Sequence, residues 1–570
     1  MCGWPTSLPG TPRTPDPEVH RFVAACVAAS HGDVDGAIAA VVHRVATARH
    51  VEVELIVDGV VVDAADSVLE AGTGSVCAGP WGPWLPGFVR EALQPSEAQR
   101  VLGVHHTPPQ IVGDILDLLE QTTGPIADRA SVLDPAVGGG AFLLAAAERM
   151  RGDRIDVAER FWAVDLDPVA LGTAHAALSL WAGGSVPSDR FVVGDFLAAT
   201  TGAHLPERVD LVVGNPPFLS QLKGPTARSA DARAALRRRW PDVGGYVDDA
   251  AAFLLAGAEL LASDGAMVLV QPDSILAASD AAAVRARLQT VAPIRGLWVD
   301  ENRSFAASVD TVAIVAAPGD SGPVQVGWGA AVEPSAGSWG HLLAAARGVP
   351  IIATPSDTPT LAEIADVTAG FRDQYYGLVD AVVDDADGDH RLITVGLIDP
   401  LHNGWGERPA RFAKQRFRHP SIDLDRVDPA VRDWIRARLV PKVLVASQTK
   451  VLEAIVDEVG SAVPSVPVLS VEPRPDAPSL WHLAALLTSP VATTLAVLDA
   501  AGSAMTADAI RVSAPRLARL PLPGDRSAWD EAAAAACRGD LDECGWAMLR
   551  AHGLGHRCDV FEFWRSRIPT

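Results

Sequence analysis

The sequence predicts an α/β protein: a parallel sheet with flanking helices, followed by an α+β region. Three observations carry this. Across residues 85–318, short apolar, β-branched runs alternate with longer helical patterns. A glycine-rich turn, Gly138-Gly139-Gly140, stands between one such run and the next helical pattern. Past about residue 350 the alternation stops, and short strands, isolated helices and many prolines replace it. At 570 residues the chain is too long for one core, so two or three domains are expected. The expected divisions are 1–90, 91–330 and 331–570.

Residues 1–90 begin with a proline-rich stretch, and helical patterns follow at 19–29 and 34–48. The run 51–57, the pair Asp58-Gly59 and the run Val60-Val61-Val62 predict a hairpin. Residues 72–86 are rich in Gly, Pro and Trp and read as a linker. In the sheet region, strands are expected at 131–133, 161–164, 191–193, 211–213, 266–271, 296–299 and 312–316. Helices are expected at 141–150, 168–181, 250–262 and 281–291. Residues 319–350, rich in Gly, Ser and Ala, read as a linker holding one strand.

Composition narrows the function classes. The chain is 48% apolar and 21% charged, an ordinary globular balance, with a net charge of −23. That charge argues against non-specific nucleic-acid binding. It is unevenly spread, however. Residues 403–442 hold ten Arg or Lys against five Asp or Glu, and Arg228, Arg233, Arg237, Arg238 and Arg239 form a second basic cluster. Local basic surfaces on an acidic body remain compatible with a nucleic-acid partner; solvated helix faces are the plainer alternative. No apolar run approaches the roughly 20 residues that span a bilayer, so no membrane is expected. The six cysteines show no CxxC spacing, and a reducing cytoplasm is the expected compartment. Cys537, Cys544, His552, His556 and Cys558 match no familiar zinc spacing, and no metal is expected.

The chemistry-bearing residues collect where expected strands end. The first group, Asp134-Pro135-Ala136-Val137-Gly138-Gly139-Gly140-Ala141-Phe142, joins a strand to a helix. Its glycines allow a tight turn and a close approach to a ligand. An acidic residue at the strand end would repel a pyrophosphate; it suits a cation bearing an α-amino group or a sulfonium. The second group is Trp162-Ala163-Val164-Asp165-Leu166-Asp167-Pro168. Asp165 is placed to accept from ribose hydroxyls. Asp167 and Pro168 read as a helix cap and first helical residue. The third is Gly194-Asp195-Phe196, where the carboxylate could accept from an adenine amino group and the ring could line a pocket. A loop Asp and a core Phe are the alternative there. The fourth is Asn215-Pro216-Pro217-Phe218, delivered by the apolar run Val209–Gly214. Two prolines cannot continue a sheet. An amide, a rigid diproline and a ring are therefore presented at a strand's carboxyl end, where open α/β sheets bind ligands. The amide oxygen and a proline carbonyl can accept from an amino group, and the ring can stack on a flat heterocycle.

With three Asp-ended strands followed by Asn-Pro-Pro-Phe, the chain resembles the gamma-class amino-group DNA adenine methyltransferases that use S-adenosylmethionine. Gly103-Val104-His105-His106-Thr107-Pro108-Pro109 looks like that family's segment, often Tyr-Thr-Pro, which helps hold the methionine portion of the cofactor. His106 stands where Tyr is commoner; Thr107 and Pro108 match. Phe305 lies where members often carry an aromatic that stacks on the target base. Segments 368–371, 440–445, 486–490 and 517–523 resemble parts of the family's target recognition domains, so the resemblance covers about 90–525.

The resemblance implies a Rossmann-like S-adenosylmethionine-dependent methyltransferase domain at 91–330 and a C-terminal α+β target recognition domain at 331–570, and leaves 1–90 without a role. The implied activity is site-specific methyl transfer to the N6 amino group of adenine in double-stranded DNA, by base flipping, in restriction-modification or phage defence. Asn215, Pro216, Pro217 and Phe218 would be catalytic. Thr107, Pro108, Asp134, Ala136, Gly138, Gly140, Phe142, Asp165, Leu166, Asp195 and Phe196 would hold S-adenosylmethionine. Phe305, Arg237, Arg238, Arg239, Arg411, Lys414, Arg416 and Arg418 would meet the target base or the DNA. A cognate restriction endonuclease or phage-defence subunits are the implied partners. The rival readings are an RNA or protein-glutamine methyltransferase, a combined restriction-modification polypeptide, and a catalytically silent DNA-specificity subunit. The tetrapeptide alone does not choose between the amino groups of adenine and cytosine.

Overall fold

A computed structural model of the chain describes residues 14–72, 74–94, 107–198, 205–218, 230–243, 249–300, 310–327, 329, 331–333, 337–352, 355, 357–370, 372–500 and 510–568. The chain divides into two compact units, Met1–Ser338 and Trp339–Thr570.

Unit 1 contains a short hairpin, β1 (Ile56–Val57) and β2 (Val60–Val61), and a sheet of nine described strands. These are β3 (Val132–Asp134), β4 (Phe161–Asp165), β5 (Phe191–Val193), β6 (Val209–Gly214), β7 (Leu261–Pro272), β8 (Ile294–Val299), β9 (Thr311–Ala316), β10 (Val324–Val326) and β11 (Ala331–Val332). Their spatial order is β11-β10-β8-β9-β7-β6-β3-β4-β5. β5, β4, β3, β6 and β7 run parallel. Their apolar runs are continuous rather than alternating because helices cover both faces of such a sheet. All of β3 is buried, and so are five of the six residues of β6. From β3 the chain steps outward to β4 and β5, then returns to place β6 on the other side of β3. That reversal opens a crevice at the carboxyl ends of β3 and β6.

The sheet is not wholly parallel as the alternation predicts. β9 enters antiparallel between β7 and β8. The link from Val299 to Thr311 is shorter than the crossover of a dozen or more residues that a parallel neighbour needs. Residues 319–350 hold two strands, β10 and β11, and the helix Gly340–Ala346, where one strand is expected.

No boundary falls near residue 90. One hydrophobic core joins Phe22, Val41 and Trp84 to Leu143, Leu178 and Val213. Residues 72–86 are no linker: Trp81 and Trp84 are buried, with ring centroids 5.9 Å apart, and Trp84 stacks on Phe88 at 6.2 Å. Indoles bury large apolar areas, which outweighs the turn character of the surrounding Gly and Pro. The hairpin is shorter than expected. The Val53 and Leu55 side chains sink into this core, although the Leu55 carbonyl still accepts from Val62 N at 2.9 Å. The hairpin rests on the helix Pro168–Ala182, where a Cβ on Gly172 would sit 2.3 Å from the Ile56 carbonyl oxygen.

Unit 2 is α+β. Strands Ala365–Ala369, Leu469–Pro473, Lys442–Ala446 and Glu453–Asp457 form an antiparallel sheet in that order. A second sheet takes Val382–Asp384, Pro420–Ile422, Arg391–Ile393 and Ala462–Pro464. The helices Leu480–Thr488, Pro490–Ala500, Arg526–Cys537, Leu541–Ala551 and Cys558–Arg567 follow. Lys442, counted above with a basic surface, is fully buried and donates to Asp457 Oδ2 at 2.6 Å. Asp457 also accepts from the backbone of Gly460, Ser461 and Ala462, so the pair fixes a turn. Among the described residues no single helix is long and apolar enough to cross a membrane. A bent pair, Leu480–Thr488 with Pro490–Asp499, passes by composition, and it buries Leu483, Leu487 and Val491.

Candidate active site

Because β5, β4, β3 and β6 are parallel neighbours, their carboxyl ends share one edge of the sheet. Asp134 ends β3, Asp165 ends β4, Asp195 follows β5 and Asn215 follows β6. The structure thus brings together all four strand-end groups read from the sequence.

Asp134 is 1% exposed, and its Oδ1 accepts from the Ala136 N–H at 3.1 Å. Burial pushes its carboxyl up to about 8; the Ala136 bond opposes the rise and the Asp165 charge adds to it. Burial thus favours the protonated acid, and a cation bound beside it would favour the carboxylate. Asp134 also dictates its neighbour. A Cβ on Gly214 would lie 2.6 Å from Asp134 Oδ1, so only glycine lets the residue before Asn215 pass this carboxyl.

Asp165 is an organiser of the glycine turn. Its two oxygens accept from Gly138 N and Asp167 N, each at 2.9 Å. Burial raises its carboxyl, and these two bonds oppose the rise. Each oxygen keeps a second lone pair for a hydroxyl. Asp167 caps the helix Pro168–Ala182 and takes an ion pair at 2.6 Å from the buried Arg90. Between the two acids, Leu166 is 69% exposed, an apolar face at the rim of the crevice.

The three turn glycines have different tasks. At Gly138, with φ +53°, a Cβ would meet nothing within 4 Å, so the space above the turn is open to a ligand. Gly139 faces Gly87, whose Cα would be 3.0 Å from an added Cβ. Gly140, at φ +85°, faces Ala174 of the helix Pro168–Ala182. Ala136 lies in this same turn, its N–H on Asp134.

Two of the residues expected at the cofactor, Phe142 and Phe196, are buried. Phe142 is 3% exposed inside the helix Ala141–Ala147. Phe196 is buried and stacks on Phe253 with centroids 5.4 Å apart. A ring on the inward side of a helix or loop gains more from burial than from lining an open crevice. Asp195 is half-buried, and its Oδ1 accepts from Leu197 N at 3.0 Å.

The catalytic segment leaves the sheet at Gly214 in irregular backbone. Asn215, Pro217 and Phe218 are half-buried and Pro216 is buried. Asn215 Nδ2 donates to Thr107 Oγ1 at 3.0 Å. Thr107 is 4% exposed, and Pro108 next to it opens the helix Pro109–Thr123. Sequence reasoning placed Thr107 with the cofactor and missed its contact with Asn215.

The basic residues separate into two kinds. Arg237 and Arg238 are exposed at the end of the helix Ala230–Arg239. Arg239, also exposed, has a partner within the chain. Its Nε and Nη2 donate to Glu259 Oε2 at 3.0 and 2.7 Å, and Glu259 also accepts from Trp240 Nε1. In unit 2, Ala410–Phe412 and Gln415–Phe417 pair as an antiparallel hairpin in which Arg411 stands directly opposite Arg416. Phe412 is buried, its ring 5.0 Å from that of Tyr375, while Arg411, Lys414, Arg416 and Arg418 are exposed. Arg411, Lys414 and Arg416 have no ion-pair partner among the described residues. Arg418 N donates to Asp384, whose carboxyl is held below its usual range chiefly by bonds from His419 N and Arg418 N. His106, Phe305 and Arg228 lie outside the described residues. The cysteines and histidines near the end of unit 2 form no metal-ligating group among the described residues. Burial pushes the Cys544 thiol up to about 12 and the His552 ring down to about 4.

Residues 93–296 match the family model described as N-6 DNA Methylase. No curated protein matches the sequence. Over 98% of both chains, the fold is similar to that of the type IIL restriction-modification enzyme MmeI in complex with DNA, at 13% identity and a TM-score of 0.56. The type IIG restriction endonuclease BpuSI gives 14% identity and a TM-score of 0.47 over 98% of this chain and 80% of its own. A modification subunit of a putative type I restriction enzyme from Vibrio vulnificus gives 16% and 0.35, over 46% and 54%. The matched stretch contains every strand-end group described above, and it is an N-6 DNA methylase domain. The enzyme class is adenine-specific DNA methyltransferase.

Proposed function

We propose that the chain transfers a methyl group from S-adenosylmethionine to the N6 amino group of adenine in double-stranded DNA, with the base flipped out of the helix, as a cytoplasmic modification enzyme of a restriction-modification or phage-defence system. The observation that carries this is the placement of Asn215. It sits at the switch-point edge, its backbone pressed against Asp134 through Gly214 and its amide held by Thr107. Asn215 is thus held beside two residues expected at the methyl donor, with its side-chain amide at the edge where a target amine would enter.

The residues fit the methyl donor. Asp134 is a buried acid suited to a cation, Asp165 has lone pairs for hydroxyls, Leu166 offers an apolar face, and open space lies over Gly138. When bound, S-adenosylmethionine supplies a methyl group on a sulfonium, whose transfer to the amine leaves a neutral thioether while the amine's surplus proton goes to water. The adenine amine is a weak nucleophile because its lone pair is delocalised into the ring. Asn215 Oδ1 and the Pro216 carbonyl would accept hydrogen bonds from its two N–H groups and return electron density to nitrogen. Their contribution is positioning and preorganised dipoles. Phe218 would stack on the base. The flip costs a few kcal/mol of unstacking and unpairing.

Unit 2 supplies recognition in this reading. A two-stranded ribbon fits the major groove. The hairpin's outer face carries Arg411 and Arg416 side by side, a repulsive pairing that a polyanion relieves. Its turn residues Ala413 and Lys414 both hold left-handed φ values, +46° and +66°. Such strain in non-glycine residues concentrates at functional sites, and here it brings Lys414 to the tip. A cognate restriction endonuclease or phage-defence subunits are the partners this function implies. Labelled methyl transfer to duplex DNA, RNA and protein tests the reading. Label on DNA that is absent with Asn215→Ala supports it; label confined to RNA or protein overturns it.

A further inference from the structure

We propose that Thr107 is a positioning residue for methyl transfer: its hydroxyl takes the Asn215 Nδ2–H so that the amide can turn its oxygen to the target amine. This rests on the reading that Asn215 accepts from the adenine amino group. A side-chain amide has two ends of nearly equal shape and opposite polarity. Turned one way, it offers a carbonyl to the amine; turned the other, it sets NH₂ against NH₂ and accepts nothing. The productive turn leaves an N–H pointing away from the amine in a half-buried site, where an unpaired donor is costly. Thr107 Oγ1, 3.0 Å from Nδ2, is the acceptor for it. The bond also polarises the amide, so that Oδ1 becomes a better acceptor.

Burial restricts Thr107, and so do Pro108 and Pro109, which follow it into the first turn of the helix Pro109–Thr123. A fixed acceptor on a packed element positions its partner more closely than one on a free loop. The backbone of Asn215 is fixed independently, because Gly214 lies against Asp134. The chain is thus clamped on one side and the amide on the other. This role differs from holding the methyl donor, and the two separate in kinetics.

Thr107→Val keeps the shape and removes the hydroxyl, whereas Thr107→Ser keeps the hydroxyl. With both ligands saturating, Thr107→Val is expected to slow single-turnover methylation about 10–100-fold. Affinities for S-adenosylmethionine and DNA should stay within about threefold, and Thr107→Ser should restore most of the rate. Adding Thr107→Val to Asn215→Ala should slow nothing further, since the amide it positions is gone. Thr107→Ala serves in place of Thr107→Val if the latter does not fold. Weakened donor binding with an unchanged saturated rate overturns the proposal, as does an unchanged rate and affinity. Either result would leave DNA methylation by the wild-type chain intact. No methylated DNA from the wild-type chain would instead overturn the function on which the proposal rests.

Discussion

The two units handle charge in opposite ways. At the strand ends of unit 1 the acids are buried or half-buried and take backbone bonds: Asp134 from Ala136, Asp165 from Gly138 and Asp167. On the unit 2 hairpin the cations are exposed, and Arg411, Lys414 and Arg416 have no acid partner among the described residues. Buried, preorganised acid suits one small cation of fixed shape. Exposed, unrelieved cations suit a long polyanion whose counterions they displace. The same contrast divides the basic residues themselves. Arg239 is spent on Glu259, whereas Arg411 and Arg416 are spent on nothing described within the chain. What distinguishes a structural cation from a ligand-binding one is its partner rather than its charge.

Four tests by substitution sharpen or break that contrast. Asn215→Ala should lower the methylation rate by at least about 10²–10³-fold, while donor and DNA affinities measured by titration persist. A variant that still methylates would dissolve the chemistry assigned to unit 1. Replacing Arg411 and Arg416 by Ala should weaken DNA binding roughly 10–100-fold near physiological salt. It should also reduce the slope of log affinity against log salt by about 2. Donor affinity should not move; a shift there would mean that the two tasks are not divided between the units.

Asp134→Asn should abolish activity yet stabilise the ligand-free protein. The Asp134 carboxyl is raised in the folded chain to about 8, above its ordinary 3.8. The folded state therefore binds more protons between those values, and stability falls as pH rises through that window. Thermal melts should show this decline in the wild type and a shallower one in Asp134→Asn, whose Tm should be higher by about 2–4 °C near pH 8. A lower Tm at that pH would contradict the assignment. The smallest effect belongs to Arg239→Ala. Its ion pair with Glu259 is over a third exposed on the arginine side, so solvent screening leaves about 0.5 kcal/mol or less. DNA affinity should be unchanged, whereas Arg237→Ala and Arg238→Ala should each weaken it about threefold with no change in Tm. Equal losses of DNA affinity in all three would place Arg239 on the DNA after all.

The strand ends of the catalytic unit were legible because their signals are local. Buried parallel strands are continuous apolar runs, and Gly, Pro and Asp punctuate their ends within a few residues. Asp134, Asp165 and Asn215 all stand at the ends of such runs. What stayed hidden depends on partners far off in sequence. Gly87 must be glycine because a Cβ there would meet the Gly139 carbonyl oxygen at 2.9 Å, and no neighbour of Gly87 announces that contact. Trp81 and Trp84 looked like parts of a linker because their turn-forming neighbours are local and their core is not. Phe142 and Phe196 followed the motif in sequence but face the interior. Gly214 had a readable signal: a glycine ending an otherwise β-branched strand marks a close approach.

The most direct test of this division of labour is nucleoside analysis of duplex DNA incubated with the full chain and S-adenosylmethionine. The expected product is N6-methyladenine, absent with Asn215→Ala, and strongly reduced at low DNA concentration when Arg411 and Arg416 are Ala. N4-methylcytosine as the product, or N6-methyladenine formed equally by all three proteins, would contradict the account.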